Sequence, residues 1–214
     1  MNIFFDLGAF LLQWQPAHLM RAQFPERALN DEQAHALARA VFSHADWHAF
    51  DQGLLSMDEV VQRTVLRLGV PADRLHALVA HIGDRLLPIH ETLAVLTQLY
   101  AMRQSDVAIK GQALRLYYLS NMPADYARVL ERREQWLGWF DGGVYSGDAK
   151  LIKPDPAIFQ LLAQRYGLVA RHTVFIDDLL TNVEAARALG WTGVHFQNAA
   201  QLAEDLVGLG IGIS

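Results

Sequence analysis

Thr173-Val174-Phe175-Ile176-Asp177-Asp178 sets a run of strand type directly against two carboxylates. A run that is apolar on both faces suits a strand buried inside a parallel sheet. Two adjacent carboxylates at its end repel each other where the dielectric is reduced. A cation removes that cost, and oxygen ligands with no His or Cys among them suit a hard ion such as magnesium. The competing explanation is a helix N-terminus, whose dipole also favours acids. Asn182, four residues beyond the pair, can hold the carboxylates or the start of that helix in place.

The same arrangement occurs twice more upstream. Ile3-Phe4-Phe5 runs into Asp6-Leu7-Gly8, and Leu114-Arg115-Leu116-Tyr117-Tyr118-Leu119 runs into Ser120-Asn121. Val144-Tyr145-Ser146 and Gly193-Val194-His195-Phe196 read as further short strands. Helical patterns separate these runs at residues 90–101, 124–137, 156–166 and 183–189, the last stopped by Gly190. Strands alternating with helices predict an α/β fold, a Rossmann-like doubly wound parallel sheet. Ligands in such sheets bind beyond the carboxyl ends of the strands, where Asp6, Ser120-Asn121 and Asp177-Asp178 fall. Residues 102–112 read as irregular, and Gly208, Gly210 and Gly212 as a loose tail.

Residues 16–88 carry helical pattern only. Asn30 or Asp31 can cap a helix through Ala34, Leu37, Ala38 and Val41, an apolar spacing of three and four. Ser56-Met57-Asp58-Glu59 is a capping box that opens a helix through Val60, Val61, Val65 and Leu68, ended by Gly69 and Pro71. Residues 71–87 supply another helix. This predicts a helical segment at 16–88 set into an α/β core built from 1–15 and 89–214.

The 214 residues are 52% hydrophobic, enough for a sizeable core. The net charge is -5 with no basic block, which argues against a nucleic-acid partner. The absence of cysteine removes disulfides, thiolate metal sites and cysteine nucleophiles, and fits a reducing cytoplasm. The apolar stretches Met1 to Phe5 and Gly8 to Leu12 are interrupted far short of the roughly 20 residues that span a bilayer, so no membrane partner is expected. A monomer or a homodimer fits equally.

Asp6 at a strand end can simply cap the next turn. If it meets Asp177 and Asp178, three carboxylates converge, and a carboxylate can attack phosphorus to form an aspartyl-phosphate. Ser120 and Asn121, between a strand and a helix, can bind phosphate oxygens or act as an ordinary cap. Lys153, in Lys153-Pro154-Asp155-Pro156, is one of three lysines in the chain. It can serve as a point charge against nucleophile and phosphate, or be a solvated surface lysine.

The order of these pieces resembles the haloacid dehalogenase (HAD) superfamily. The matching stretches are Phe4-Phe5-Asp6-Leu7-Gly8, Tyr118-Leu119-Ser120-Asn121, Ser146-Gly147 with Lys153-Pro154-Asp155-Pro156, and Phe175-Ile176-Asp177-Asp178 through Asn182-Val183-Glu184-Ala185-Ala186. The helical segment resembles the small bundle cap of subfamily I. The resemblance implies a Mg2+-dependent phosphatase acting on a small phosphorylated metabolite. Asp6 would be nucleophile and metal ligand, the Gly8 carbonyl a second ligand, and Asp178 a third, with Asp177 beside it, directly or through water. Ser120 and Asn121 would bind the phosphoryl group, and Lys153 would neutralise charge. The cap would close over the substrate.

Two features depart from the family pattern. Gly8 stands where most phosphatases of the family carry an acid/base Asp. The Asp-Leu-Gly start is similar to a subgroup with sugar-phosphate phosphatases, which makes a sugar phosphate one candidate substrate. Lys150 stands where a glycine is common before the Lys-Pro motif, near the site or on an exposed loop. Trp14, His18 and Arg21 follow the first motif and are candidate pocket residues, Trp14 also a packing residue. Two rival functions remain, a metal-free dehalogenase on the same fold, and a binding or regulatory protein that lost turnover at Gly8.

Overall fold

The computed structural model describes residues 1–105 and 108–213. Strand β1 (Asn2–Phe5) lies at the centre of a parallel five-stranded sheet, with β4 (Arg115–Ser120) on one side and β6 (Thr173–Asp177) on the other. Strand β5 (Gly142–Tyr145) lies outside β4, and β7 (Thr192–His195) outside β6. Ile3, Phe4 and Phe5 are fully buried, and alternate residues enter different cores. Ile3 and Phe5 pack on one face and Phe4 on the other. That two-sided demand explains why β1 contains no polar residue after Asn2 until Asp6.

Helices cover both faces. On one side α7 (His90–Gln104) contributes Val95, Leu96 and Leu99, and α12 (Ala199–Gly208) contributes Leu202 and Leu206. On the other, α10 (Pro156–Tyr166) contributes Ile158, Phe159 and Leu162, with Ala186 from α11 (Leu180–Ala188). This is the doubly wound α/β sheet expected from the strand–helix alternation.

Between β1 and α7 the chain is helical: α1 (Pro16–Gln23), α2 (Asp31–Phe42), α3 (Ala45–Asp51), α4 (Met57–Leu68), α5 (Ala72–Ala80) and α6 (Ile82–Arg85). Asn30, not Asp31, caps α2, accepting the Gln33 N–H at 2.9 Å. The Ser56–Glu59 capping box forms in both directions, and Gly69 ends α4 with φ 60°.

Several expectations need correction. Residues 71–87 form two helices, α5 and α6, with the break at His81, and Gly83 in α6 lies against the Tyr126 backbone, where a Cβ would stand 3.3 Å from its Cα. Helix α7 runs to Gln104. Part of the expected irregular piece forms a small hairpin of β2 (Ala108–Ile109) and β3 (Gln112–Ala113), turned by Lys110 and Gly111 with positive φ. Residues 106–107 of that piece lie outside the described residues. The helix after β4 is α8 (Ala124–Arg133), followed by a tighter turn at Gln135–Trp139 that buries Trp136 against Phe140. Ser146 does not end β5 but opens a short helix, α9 (Ser146–Ala149). The C-terminal region is not a loose tail. Asn198 caps α12, Gly208 is its last residue, and Gly210 (φ 83°) turns Ile211 back into the core.

The core grips the helical segment by its backbone carbonyls. Ser146 Oγ donates to Asp51 O at 2.5 Å, and Lys150 Nζ to Gly53 O at 2.6 Å. Tyr126 Oη donates to Val79 O at 2.6 Å, and the Arg133 guanidinium to the carbonyls of Gly83, Asp84 and Leu86. In return Gln52 Nε2 donates to Lys150 O at 2.8 Å. Lys150 occupies the left-handed region (φ 57°), where glycine would be free of strain. The bond of its ammonium to Gly53 O across the junction accounts for a lysine there. These contacts come from α8 and α9, which follow β4 and β5, so the segment sits by the carboxyl ends of the strands. Among the described residues no helix is long and apolar enough to cross a membrane.

Gly53 has φ 70°, and a Cβ on it would lie 2.5 Å from the Gly147 carbonyl oxygen and 2.4 Å from Lys150 Nζ. Gly53→Ala is therefore expected to destabilise by about 1–3 kcal/mol. In a chain of this length that lowers the melting temperature by about 2–4 °C per kcal/mol. A calorimetric Tm equal to the parent's would show that the junction yields without cost.

Candidate active site

The register of the sheet determines what meets at its carboxyl edge. Phe5 pairs with Tyr118 on one side and Ile176 on the other, so Asp6 emerges level with Leu119 and Asp177. The Asp6 N–H continues the ladder, donating to Ile176 O at 2.9 Å. Its carboxylate Oδ1 accepts the Leu7 N–H at 2.7 Å and lies 2.9 Å from Lys153 Nζ. The chain then turns through Ala9, which holds φ 53°, a conformation that costs a non-glycine residue about 1–2 kcal/mol.

Lys153 is buried and fully satisfied. Its ammonium reaches Asp6 Oδ1, Asp177 Oδ2 at 2.7 Å and Leu119 O at 2.9 Å. The solvated-surface alternative is excluded, since the residue is only 3% exposed. Burial works against its charge, but Asp177 and Asp6 hold the ammonium above the usual lysine range. The Lys153–Pro154 peptide is cis. The Asn121 side chain fixes this backbone, accepting the Lys153 N–H at 2.9 Å and donating to Lys153 O at 3.0 Å. Both ends of that amide thus take part in placing Lys153, and Asn121 also lines the cavity. Ser120 is 1% exposed, lines the cavity, and its hydroxyl has no hydrogen-bond partner among the described residues.

One oxygen from each of Asp6, Asp177 and Asp178 lies within 4.8 Å of the others. Burial pushes the Asp6 carboxyl up to about 7 against the pull of Lys153, and Asp177 and Asp178 add to the rise. Burial and the Asp177 charge raise Asp178 as well. Three crowded oxygens with one lysine between them leave excess negative charge, and that donor set fits a hard divalent cation. The acids have different freedom. Asp177 is fully buried and engaged by Lys153, by the Leu179 N–H at 2.9 Å and by Asn182 Nδ2 at 2.9 Å. Asn182 therefore holds a carboxylate, one of its two expected roles. Asp178 is half-buried and lines the cavity.

Asp6, Gly8, Ser120, Lys153 and Asp178 form one side of a cavity of about 390 Å³. The other side comes from the helical segment and α8 and includes Trp14, Phe42, Trp47, Ile82, Leu86 and Tyr126. Trp14 combines both expected roles, lining the cavity while its ring meets Phe42 edge-on at 5.1 Å. His18 lines a neighbouring cavity, and Arg21 pairs with Asp31 at 2.7 Å. Lys150 is taken up by Gly53. Sequence reading missed Phe42, Trp47, Asp51 and Tyr126, although all four line the site. The apolar helical spacing of Phe42, Trp47 and Tyr126 signals burial but not which surface they bury against, and Asp51 at a helix end carries no local signal of the site. Gly8 itself has open space: a Cβ there meets nothing within 4 Å.

A doubly wound α/β sheet with a lysine-bridged set of carboxylates at its carboxyl edge is the architecture of an enzyme. The chain belongs to the haloacid dehalogenase-like hydrolase family, whose model matches residues 84–190. It is 25% identical over 203 residues to a sesquiterpene phosphatase of Aspergillus oryzae, spanning 94% of this chain and 92% of that protein. It is 42% identical over 113 residues to flavin mononucleotide hydrolase 1 of Arabidopsis thaliana, spanning 53% of this chain but 46% of that protein. A HAD-family enzyme of Bacteroides thetaiotaomicron, solved with magnesium and inorganic phosphate, superposes with TM-score 0.68 at 18% identity, covering 92% and 94% of the two chains. That likeness is one of fold.

Asp6 binds more protons folded than unfolded between the ordinary carboxylate value and about 7. The site's contribution to stability therefore falls as pH rises through that window. A divalent cation offsets the exposed charge, so magnesium is expected to raise the melting temperature more at pH 8 than at pH 5. Equal shifts at the two pH values, or none, would exclude these carboxylates as its ligands.

Proposed function

We propose that this protein is a magnesium-dependent phosphatase that hydrolyses a small phosphorylated metabolite through an aspartyl-phosphate on Asp6. The observation that carries the reading is the buried contact of Lys153 with both Asp6 and Asp177, set among three convergent carboxylates. Phosphatases among the relatives support it: the Aspergillus enzyme and a phosphorylated carbohydrates phosphatase of Thermotoga maritima, 29% identical over 89 residues. Residues 16–88 act in this reading as a cap over a core of 1–15 and 89–214.

The Leu7 N–H and Lys153 both hold Oδ1 of Asp6, which orients the carboxylate and leaves Oδ2 for attack on phosphorus. The new Oδ2–P bond forms as the ester P–O bond breaks, and the electron pair leaves on the alcohol oxygen, which takes a proton from water. Ser120 Oγ donates to a phosphoryl oxygen, and Lys153 offsets charge on nucleophile and phosphate. Asp6, Asp178 and the Gly8 carbonyl would hold the metal, with Asp177 buttressing Lys153. Bound there, magnesium lowers the repulsion between carboxylate and phosphate. Attack of water on phosphorus then breaks the Oδ2–P bond, releases inorganic phosphate and restores Asp6.

Release of phosphate from p-nitrophenyl phosphate with magnesium tests the reading. Asp6→Asn is expected to bring it to background, and undiminished turnover would remove Asp6 as nucleophile. Gly8 supplies no proton to the leaving alcohol, whereas general acid–base help is worth about 10²–10⁴ in rate. Because the space at Gly8 is open, Gly8→Asp is expected to speed alkyl phosphate hydrolysis well beyond that of p-nitrophenyl phosphate, whose leaving group needs little help. An equal change on both substrates would show that the missing acid is not what limits the parent.

A further inference from the structure

The cavity over Asp6 shares a wall with a second cavity of about 380 Å³. The residues common to both are Trp14, Ile82 and Leu86. Ile82 and Leu86 are locked into the core, and Arg133 holds the backbone of that turn from behind. Trp14 is only half-buried, stands outside any helix or strand, and its indole N–H has no partner among the described residues. It is the replaceable panel of the partition.

We infer that the substrate is the phosphate ester of an apolar alcohol and that Trp14 is the end wall that limits its length; this rests on the phosphatase reading. The chamber facing the phosphate site is walled by Trp14, Phe42, Trp47, Ile82, Leu86 and Met122. Against these six side chains a polyhydroxylated alcohol would find only indole N–H groups as partners and would leave most of its hydroxyls unpaired. Asp51, the acid that the helical segment adds to this lining, has its carboxyl pushed up by burial. His35, Arg39 and His48 are exposed at the margin rather than inside. A hydrocarbon body instead gains about fourfold in affinity for each methylene it buries. Beyond the partition, the second cavity is edged by Gln13, Gln15, His18 and Arg85, so it has room for chain but an outer polar rim.

Binding of n-alkylphosphonates of four to ten carbons, with magnesium, reads the wall without requiring turnover. In the parent, affinity by calorimetry is expected to climb with each carbon and then stop once the chain meets Trp14. Trp14→Ala is expected to carry the climb several carbons further, raising the ratio of decyl to butyl affinity at least tenfold. Trp14→Phe should keep most of the parent's limit, and the melting temperature of each variant reports whether it is folded. A ratio unchanged in folded Trp14→Ala overturns the inference, as does a parent that binds glucose 1-phosphate more tightly than every alkylphosphonate. Hydrolysis of the matching alkyl phosphates is followed separately. Length-dependent binding without phosphate release would sink the phosphatase reading and leave the end wall standing.

Discussion

One ammonium group organises this protein. Lys153 donates to Asp6, to Asp177 and to the carbonyl of Leu119, and so ties together the ends of the three central strands. Without it the two carboxylates would face each other with no countercharge between them. With it they sit at hydrogen-bonding distance of a common charge, and the cost of burial is shared three ways. The lysine is itself positioned through the Asn121 amide, which reads its backbone on both sides. The nucleophile candidate, its countercharge and the strand that carries Ser120 therefore form one mechanical unit.

The residual imbalance in that unit gives the site its chemical character. Three acids against one buried base leave Asp6 with a raised proton affinity, from burial first and from its acidic neighbours second. Such a group is poorly ionised when alone and becomes a better nucleophile when further positive charge arrives. Asp177 is held by Asn182 and the Leu179 N–H and has no freedom to move, whereas Asp178 faces the cavity. The adjacent pair thus divides into a buttress and an accessible carboxylate.

Much of this was legible in the linear chain, for a definite reason. Apolar runs ending abruptly at Asp6, Ser120 and Asp177 encode both a buried strand and its functional end, because a parallel sheet demands hydrocarbon on two faces and releases the chain at one edge. Caps at Asn30 and Ser56 were equally readable, being local. What escaped reading was long-range or masked. The Asn121 amide is committed to a backbone 32 residues away, which no local pattern reports. Helix α12 was hidden by the glycines that follow it, although Leu202 and Leu206 have helical spacing. The chamber walls at Phe42, Trp47 and Tyr126 look like any helical core stripe until the helices are docked.

The side-chain hydrogen bonds by which the core holds the helical segment go to main-chain oxygens, those of Asp51, Gly53, Val79, Gly83, Asp84 and Leu86. A main-chain oxygen is present whichever amino acid occupies the position. Side chains over the reaction centre are thereby free to drift in evolution while the seat of the segment stays put. Gly53 is the exception, a fixed point that any lineage diversifying this roof must keep.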